Sequence, residues 1–455
     1  MGAIGIRIKH FVSNVKTVDA NPLVQSLLFI VPPVVTTVFT YLLFLLMEGN
    51  ISSDMQRFAI TIIMAVVVSL VGTAGVQIVV SKIVGDALFF KDKSMIAKGI
   101  RTGLGYCLVF SIIASAGFYY YYIAILDFPI FFFSCFAALL VFFSVTWVCM
   151  AALSTAKKYM RIALITTSSY TLSFALALGL SYSSSELALL GYSVGILEWA
   201  LLALFLTSGL CGGELLKGRW LSELAGLPAK MLNYRSMVLF HTLYIVAIFM
   251  DKVIIWVMRG TEEGIGLSLD DPYTTAAFLG MIPLFAVAGV AYFSLKVQPL
   301  VDNLYRGTLS EIQTRAEEYK RLFARSITRS MITGLIIGIV VVVLGHYVLD
   351  ISGTQDISIV IATSFGSICF VGILLNSTVL SLFGRFSITA WSVAVACLVQ
   401  VATITFMGTE SWLVAWGFLM GGCTGFIISF IAVNRLFREF DYNIFRSLVW
   451  RGSTA

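Results

Sequence analysis

Apolar residues recur in long runs, broken by short polar stretches, from Leu23 almost to the end of the chain. A hydrocarbon core about 30 Å thick needs about 20 mainly apolar residues per helix. Twelve segments fit that length: 24–47, 58–81, 99–123, 128–153, 162–182, 187–209, 236–258, 273–296, 327–349, 357–380, 387–408 and 411–434. The pattern predicts an all-α, polytopic membrane protein with twelve transmembrane helices. Composition agrees: of 455 residues, 59% are apolar and 12% charged, with a mean hydropathy of +0.95, whereas soluble domains carry about 25% charged residues.

Charge placement then orients the spans. With twelve crossings both termini lie on one side, and 27 of the 30 Lys and Arg residues fall on that side. Only Arg57 and Arg259 lie opposite, and Lys252 lies inside a span. Basic residues near span ends stay in the cytoplasm, so both termini are expected to be cytoplasmic. The sequence pI of about 8.9 is then a matter of topogenesis and of attraction to anionic lipids, and nucleic acid is not expected as a partner. The N-terminal MGAIGIRIKHFVSNVK is basic and amphipathic and does not read as a cleavable signal, so the first span is expected to direct insertion.

The halves read as a parallel repeat: a six-helix bundle over 1–209 with the basic N-terminal segment, a cytosolic linker over 210–235, a second six-helix bundle over 236–436 and a cytosolic tail over 437–455. Such repeats place a substrate path between two bundles that rock against one another. The longest cytosolic insert, 302–329, reads as a charged helix in which Glu311 and Arg315, and Glu317 and Arg321, are acid-to-base pairs one turn apart. Arg321, Arg325 and Arg329 continue as a basic stripe. Together with Arg315 they suit contact with lipid headgroups or a cytosolic partner.

Several activities are excluded or disfavoured. No phosphate-cradling GxxxxGK[ST] run occurs, and the seven cysteines lack CxxC spacing and read as packing residues rather than metal ligands or disulfides. External links are short and, beyond Arg259, carry mainly acids (Glu262, Glu263, Asp270, Asp271), which disfavours a polymerase or ligase. No catalytic residue, metal or cofactor is expected.

Three ionisable residues lie within spans: Glu198 in the sixth, and Asp251 and Lys252 in the seventh. A charge at a helix centre costs at least about 2.5–3.5 kcal/mol on insertion scales, so each is a candidate for the substrate path or ion coupling. Neighbours on a helix point about 100° apart, so Asp251 and Lys252 are expected to look into two environments rather than neutralise each other. Tyr244 shares the acidic face, and Trp256 and His241 the basic one. An aromatic beside hydrogen-bonding groups suits a sugar. The bland alternative is that these charges pair with other helices, Lys252 with Glu198 for example, and lock the halves together. Pro32 and Pro33 in the first span and Pro283 in the eighth are candidate helix breaks, while Gly191 and Gly195 suit close helix packing.

GAIGIRIKHF near the start, IVGDALF at 83–89, MDKVIIW at 250–256, DPYTTAAFLGMIP at 271–283 and FDYNIF at 440–445 occur in order along the chain. Together they make it resemble the Pel exopolysaccharide transporter family of the multidrug, oligosaccharidyl-lipid and polysaccharide exporter superfamily. The resemblance implies an inner-membrane exporter of a nascent N-acetylgalactosamine-rich polymer. It also implies a cytosolic nucleotide-sugar glycosyltransferase and membrane scaffold proteins of a synthase complex as partners, and it points to Asp251 and Lys252. The first span has Val31, Pro32 and Pro33 where the family has an SGP turn. A lipid-linked oligosaccharide flippase, a drug/cation antiporter and a purely structural scaffold are the rival readings.

Overall fold

The computed structural model describes residues 21–47, 54–218, 220–262, 271–304, 309–348, 353–408 and 410–439. The N-terminal basic segment, most of the 259–272 link and most of the tail lie outside these residues, as do two of the stretches behind the family resemblance. Twelve helices long and apolar enough to cross a membrane occur among the described residues, one for each expected span. The first six are α1 (Pro22–Met47), α2 (Met55–Phe90), α3 (Lys93–Tyr120), α4 (Ile130–Thr155), α5 (Tyr159–Ser181) and α6 (Ser185–Cys211). After two short helices, α7 (Trp220–Ala225) and α8 (Leu227–Asn233), the seventh span is α9 (Arg235–Glu262). The eighth is split into α10 (Asp271–Gly280), a 3-10 segment (Ile282–Val287) and α11 (Ala288–Leu304). The last four are α12 (Leu309–Val348), α13 (Thr354–Leu382), α14 (Phe386–Met407) and α15 (Ser411–Arg438).

The described residues form two compact units. The first is drawn from Leu28–Ile245 and Trp256–Leu269, the second from Pro22–Leu27, Val246–Ile255 and Asp270–Ala455. The middle of α9 thus belongs to the second unit and its flanks to the first.

In the first unit α2, α4 and α6 bury their facing sides. Trp199 is its aromatic centre, with ring centroids 5.5 Å from Trp147, 5.3 Å from Tyr170 and 6.4 Å from Phe143. The indole N–H of Trp147 donates to Ser69 Oγ at 3.0 Å, which satisfies it in an apolar interior. Small residues let α5 and α6 approach closely. A Cβ at Gly191 would sit 2.8 Å from the backbone of Leu176, and one at Gly195 would overlap Ser173, while Ser173 Oγ donates to the Tyr192 carbonyl at 2.8 Å. This is the close packing expected of the two glycines.

In the second unit α13 packs between α12 and α15, and Asn376 Nδ2 donates to Ser429 Oγ at 2.9 Å. The charged insert is not a separate helix. Residues 302–304 end α11, residues 305–308 lie outside the described residues, and from Leu309 the insert and the ninth span are one helix of 40 residues, about 60 Å long. It is also less solvated than its charge suggests. Tyr319 and Phe323 are buried, each about 6 Å from the ring of Phe293, and both meet Phe437. An amphipathic helix of this kind is held by its apolar face, which its charged face does not reveal.

The prolines behave differently. α1 runs as continuous helix through Pro32 and Pro33, whereas the eighth span breaks into a 3-10 turn at Pro283. There Leu284 N–H donates to Met281 O at 2.9 Å, so the Gly280 carbonyl loses its α-helical donor. Ser367 Oγ of α13 supplies one at 3.0 Å, as backbone freed at membrane depth requires. Ser367→Ala should leave that carbonyl unsatisfied and lower stability by about 1–3 kcal/mol. Thermal unfolding of the detergent-solubilised chain measures it.

Candidate functional site

Asp251 and Lys252 lie in the middle of α9, and both are 0% exposed. Contrary to the expectation of two separate environments, they pair with each other. Lys252 Nζ is 3.0 Å from Asp251 Oδ1 and 2.8 Å from Oδ2. The Cβ directions do diverge by about 100°, but the four-carbon lysine stem is long and flexible enough to carry the ammonium back around the helix. Neutralisation within the helix avoids leaving two unpaired charges in a medium that solvates neither.

Two other helices complete the cluster. Tyr273 of α10 donates its hydroxyl to Asp251 Oδ2 at 2.7 Å, and Lys252 Nζ lies 4.5 Å from the ring centroid of Phe418 of α15, a cation–π contact in a desolvated setting. The carboxylate accepts three hydrogen bonds, and the ammonium faces a ring where it has no oxygen partner. MDKVIIW and DPYTTAAFLGMIP, far apart in sequence, therefore meet at one carboxylate. Around them Ile255, Ala276, Val341, Ile359, Ile404 and Val414 form an apolar shell. One turn before Asp251, Gln400 Nε2 of α14 donates to the Ala247 carbonyl at 3.2 Å. The cluster thus fastens the middle of α9 to α10 and α15.

The remaining sequence candidates fall elsewhere. Tyr244 and Trp256 are buried, His241 is half-buried, and all three belong to the first unit. The phenol that donates to Asp251 is Tyr273, 22 residues away. Glu198 is half-buried on α6, and its Oε2 has no hydrogen-bond partner among the described residues. Arg321, Arg325 and Arg329 are exposed on α12 and Arg315 is half-buried. Arg321 pairs with Glu317 at 3.2 Å, and the Glu311 side chain lies outside the described residues. Lys296, Thr314, Glu317, Glu318, Arg321 and Arg325 border a cavity of about 520 Å³. Among the described residues no group of acidic, His or Cys side chains could hold a metal.

One charged residue was read only as part of the topogenic count. Arg101 of α3 is 5% exposed. Its Nε and Nη2 take both oxygens of Glu223 in α7, at 2.8 and 2.7 Å, while Nη1 donates to the Glu214 carbonyl at 2.6 Å. The linker is thereby clamped onto the first unit. Its Glu223 carboxyl is held below the usual carboxylate range by this guanidinium. The signal was weak: Arg101 falls at the cytoplasmic end of the expected third span, where a basic residue is ordinary.

Residues 1–445 match the model of the PelG family, described as "Putative exopolysaccharide Exporter (EPS-E)". No curated protein matches the sequence significantly. The fold resembles that of the eukaryotic MATE transporter AtDTX14, with TM-score 0.67 and 12% identity over 94% of this chain and 99% of that one. It also resembles the MATE transporter ClbM in complex with Rb+, with TM-score 0.58 and 13% identity over 92% and 95%. A transporter of the MOP superfamily from Pyrococcus furiosus gives TM-score 0.59 and 13% identity over 93% and 98%. At these identities the likeness concerns the fold alone, an all-helical architecture. The match over nearly the whole chain places it in a family: the chain belongs to the PelG family of exopolysaccharide exporters and has a MATE-like fold.

Proposed function

We propose that this chain carries a growing, Pel-like, N-acetylgalactosamine-rich exopolysaccharide across the bacterial cytoplasmic membrane, with both termini inside, by movement of its two helix bundles around a central path. The family match over residues 1–445 carries this reading. The charge asymmetry of the loops supports the orientation. A cytosolic nucleotide-sugar glycosyltransferase would feed the polymer in, beside membrane scaffold proteins. The exposed Arg321, Arg325 and Arg329 would meet anionic headgroups or that enzyme. The Asp251–Lys252 pair, enclosed as it is, acts by holding α9 to α10 and α15, and Glu198, Tyr244, Trp256 and His241 remain candidates for the path itself.

The test uses inside-out vesicles containing the chain and its glycosyltransferase, supplied with labelled UDP-N-acetylgalactosamine. Polymer protected inside the vesicles, and absent without this chain, is expected. Protection of a short lipid-linked oligosaccharide without polymerisation would favour a flippase of the same superfamily. No protected sugar in either form would overturn the reading.

A further inference from the structure

Helices α11 and α12 border the cavity of about 520 Å³ where the eighth and ninth spans meet the side to which the basic residues assign the cytoplasm. Its α12 wall is one helical stripe, and the stripe is graded by charge. Glu317 and Glu318 come first, on the turns farther from the membrane, and Arg321, Leu322 and Arg325 follow toward it. From Glu318 to Arg325 is about 10 Å of helix. Lys296 forms the α11 wall. Phe293, one turn before it, lies level with Arg321, since its ring is 6.0 Å from both Tyr319 and Phe323. The Lys296 ammonium is 5.9 Å from the ring centroid of Tyr292, so its stem turns back and carries the charge to the membrane end of the cavity.

Arg321 is engaged by Glu317 at 3.2 Å. Among the described residues no ion pair holds Lys296, Arg325 or Glu318. Two cations at the membrane end and one carboxylate about 10 Å farther out therefore face the same space. That order matches a phospholipid headgroup, whose phosphate sits at the membrane boundary and whose substituent points outward. Ethanolamine places an ammonium with three N–H donors on the outward side, where Glu318 stands. Phosphoglycerol satisfies the cations but brings no positive charge to the carboxylate, and choline brings a charge with no N–H to donate. A soluble phosphate has no acyl chain to hold it at this level.

We propose that the cavity between α11 and α12 is a site for the phosphoethanolamine headgroup of a membrane phospholipid, with Lys296 and Arg325 on the phosphate and Glu318 accepting from the ammonium. The inference deepens the headgroup contact of Arg321 and Arg325 given above and rests on that reading, whereas nothing in it depends on the polymer. A lipid held there ties the cytosolic turns of α12 to the membrane surface.

The test uses the full chain purified in detergent and titrated with palmitoyl-oleoyl phosphatidylethanolamine, phosphatidylglycerol or phosphatidylcholine, which share acyl chains and differ in headgroup. Native mass spectrometry counts the bound lipid. The ethanolamine lipid should bind tightest, and UDP should not displace it. Glu318→Gln should weaken the ethanolamine lipid about fivefold, the worth of one interfacial ion pair, and leave the glycerol lipid no weaker. Lys296→Ala combined with Arg325→Ala should weaken both lipids about twenty-five-fold. All three side chains are exposed, so each variant should elute as the parent does in gel filtration. Equal binding of the three lipids, displacement by UDP, or an ethanolamine preference that survives Glu318→Gln would each overturn the proposal. A preference for the glycerol lipid that depends on Arg325 would overturn it and leave the headgroup contact of the arginines standing. Binding indifferent to Lys296, Arg321 and Arg325 would remove both.

Discussion

Lys252→Ala is expected to cost about 3–5 kcal/mol of stability and to abolish secretion of the polymer. The substitution deletes the ammonium that covers both oxygens of Asp251 and leaves a carboxylate that is 0% exposed with Tyr273 as its remaining donor among the contacts described above. Breaking one side of a buried pair is far more damaging than replacing both sides with neutral groups of similar volume. Asp251→Asn combined with Lys252→Met should therefore recover most of the abundance that the single variant loses. Folded protein in membrane extracts, measured by fluorescence-detected gel filtration, and secreted polymer at matched abundance give the two readouts. Restored abundance without secretion would assign the charges a part in the transport cycle. Restoration of both would confine them to holding α9 in place. Tyr273→Phe probes the same cluster more gently, since it removes one hydrogen bond to a charged group, worth about 1.5–3 kcal/mol.

Arg101→Ala is expected to destabilise the chain by about 3 kcal/mol and to release the linker between the sixth and seventh spans. The guanidinium and the Glu223 carboxylate are 5% and 11% exposed, so truncation leaves an almost enclosed carboxylate and removes one of the two donors to the Glu214 carbonyl, the other being the Lys217 N–H. Limited proteolysis should then cut within 212–234, where the parent resists. The same clamp carries a pH dependence. Glu223 is held below its ordinary range when folded, so the unfolded chain takes up its proton first, near pH 4.3. The stabilisation is fully present above that pH and is lost as pH falls through the lower folded value. Melting temperatures between pH 7 and pH 3.5 should fall more steeply for the parent than for Glu223→Gln, which has no proton to gain. An equal slope would show that the clamp does not titrate in this window.

The pattern along the chain was enough to find all twelve spans, though α2 runs on to Phe90 and α12 begins at Leu309, and for a local reason. Whether a segment of 20 residues can sit in hydrocarbon depends on its own side chains, and the bilayer imposes the same length on every segment. The split at Pro283 and the close packing at Gly191 and Gly195 were legible for the same reason, because a missing N–H or Cβ is a property of one residue. Pro32 and Pro33 were not, because the same missing donors are tolerated inside α1, which runs on as helix. Sequence also singled out Asp251 and Lys252 by their depth, but it left open what they meet. Spacing argued that the two could not neutralise each other, and the reach of a lysine stem decided otherwise. That Tyr273, 22 residues on, and Phe418, more than 160 residues on, complete the cluster, and that Arg101 grips Glu223 across 122 residues, are outcomes of packing between helices whose relative rotation no local pattern encodes. Hydropathy is summed residue by residue and can be read in order, whereas the partner of a buried charge is settled only when distant helices close around it.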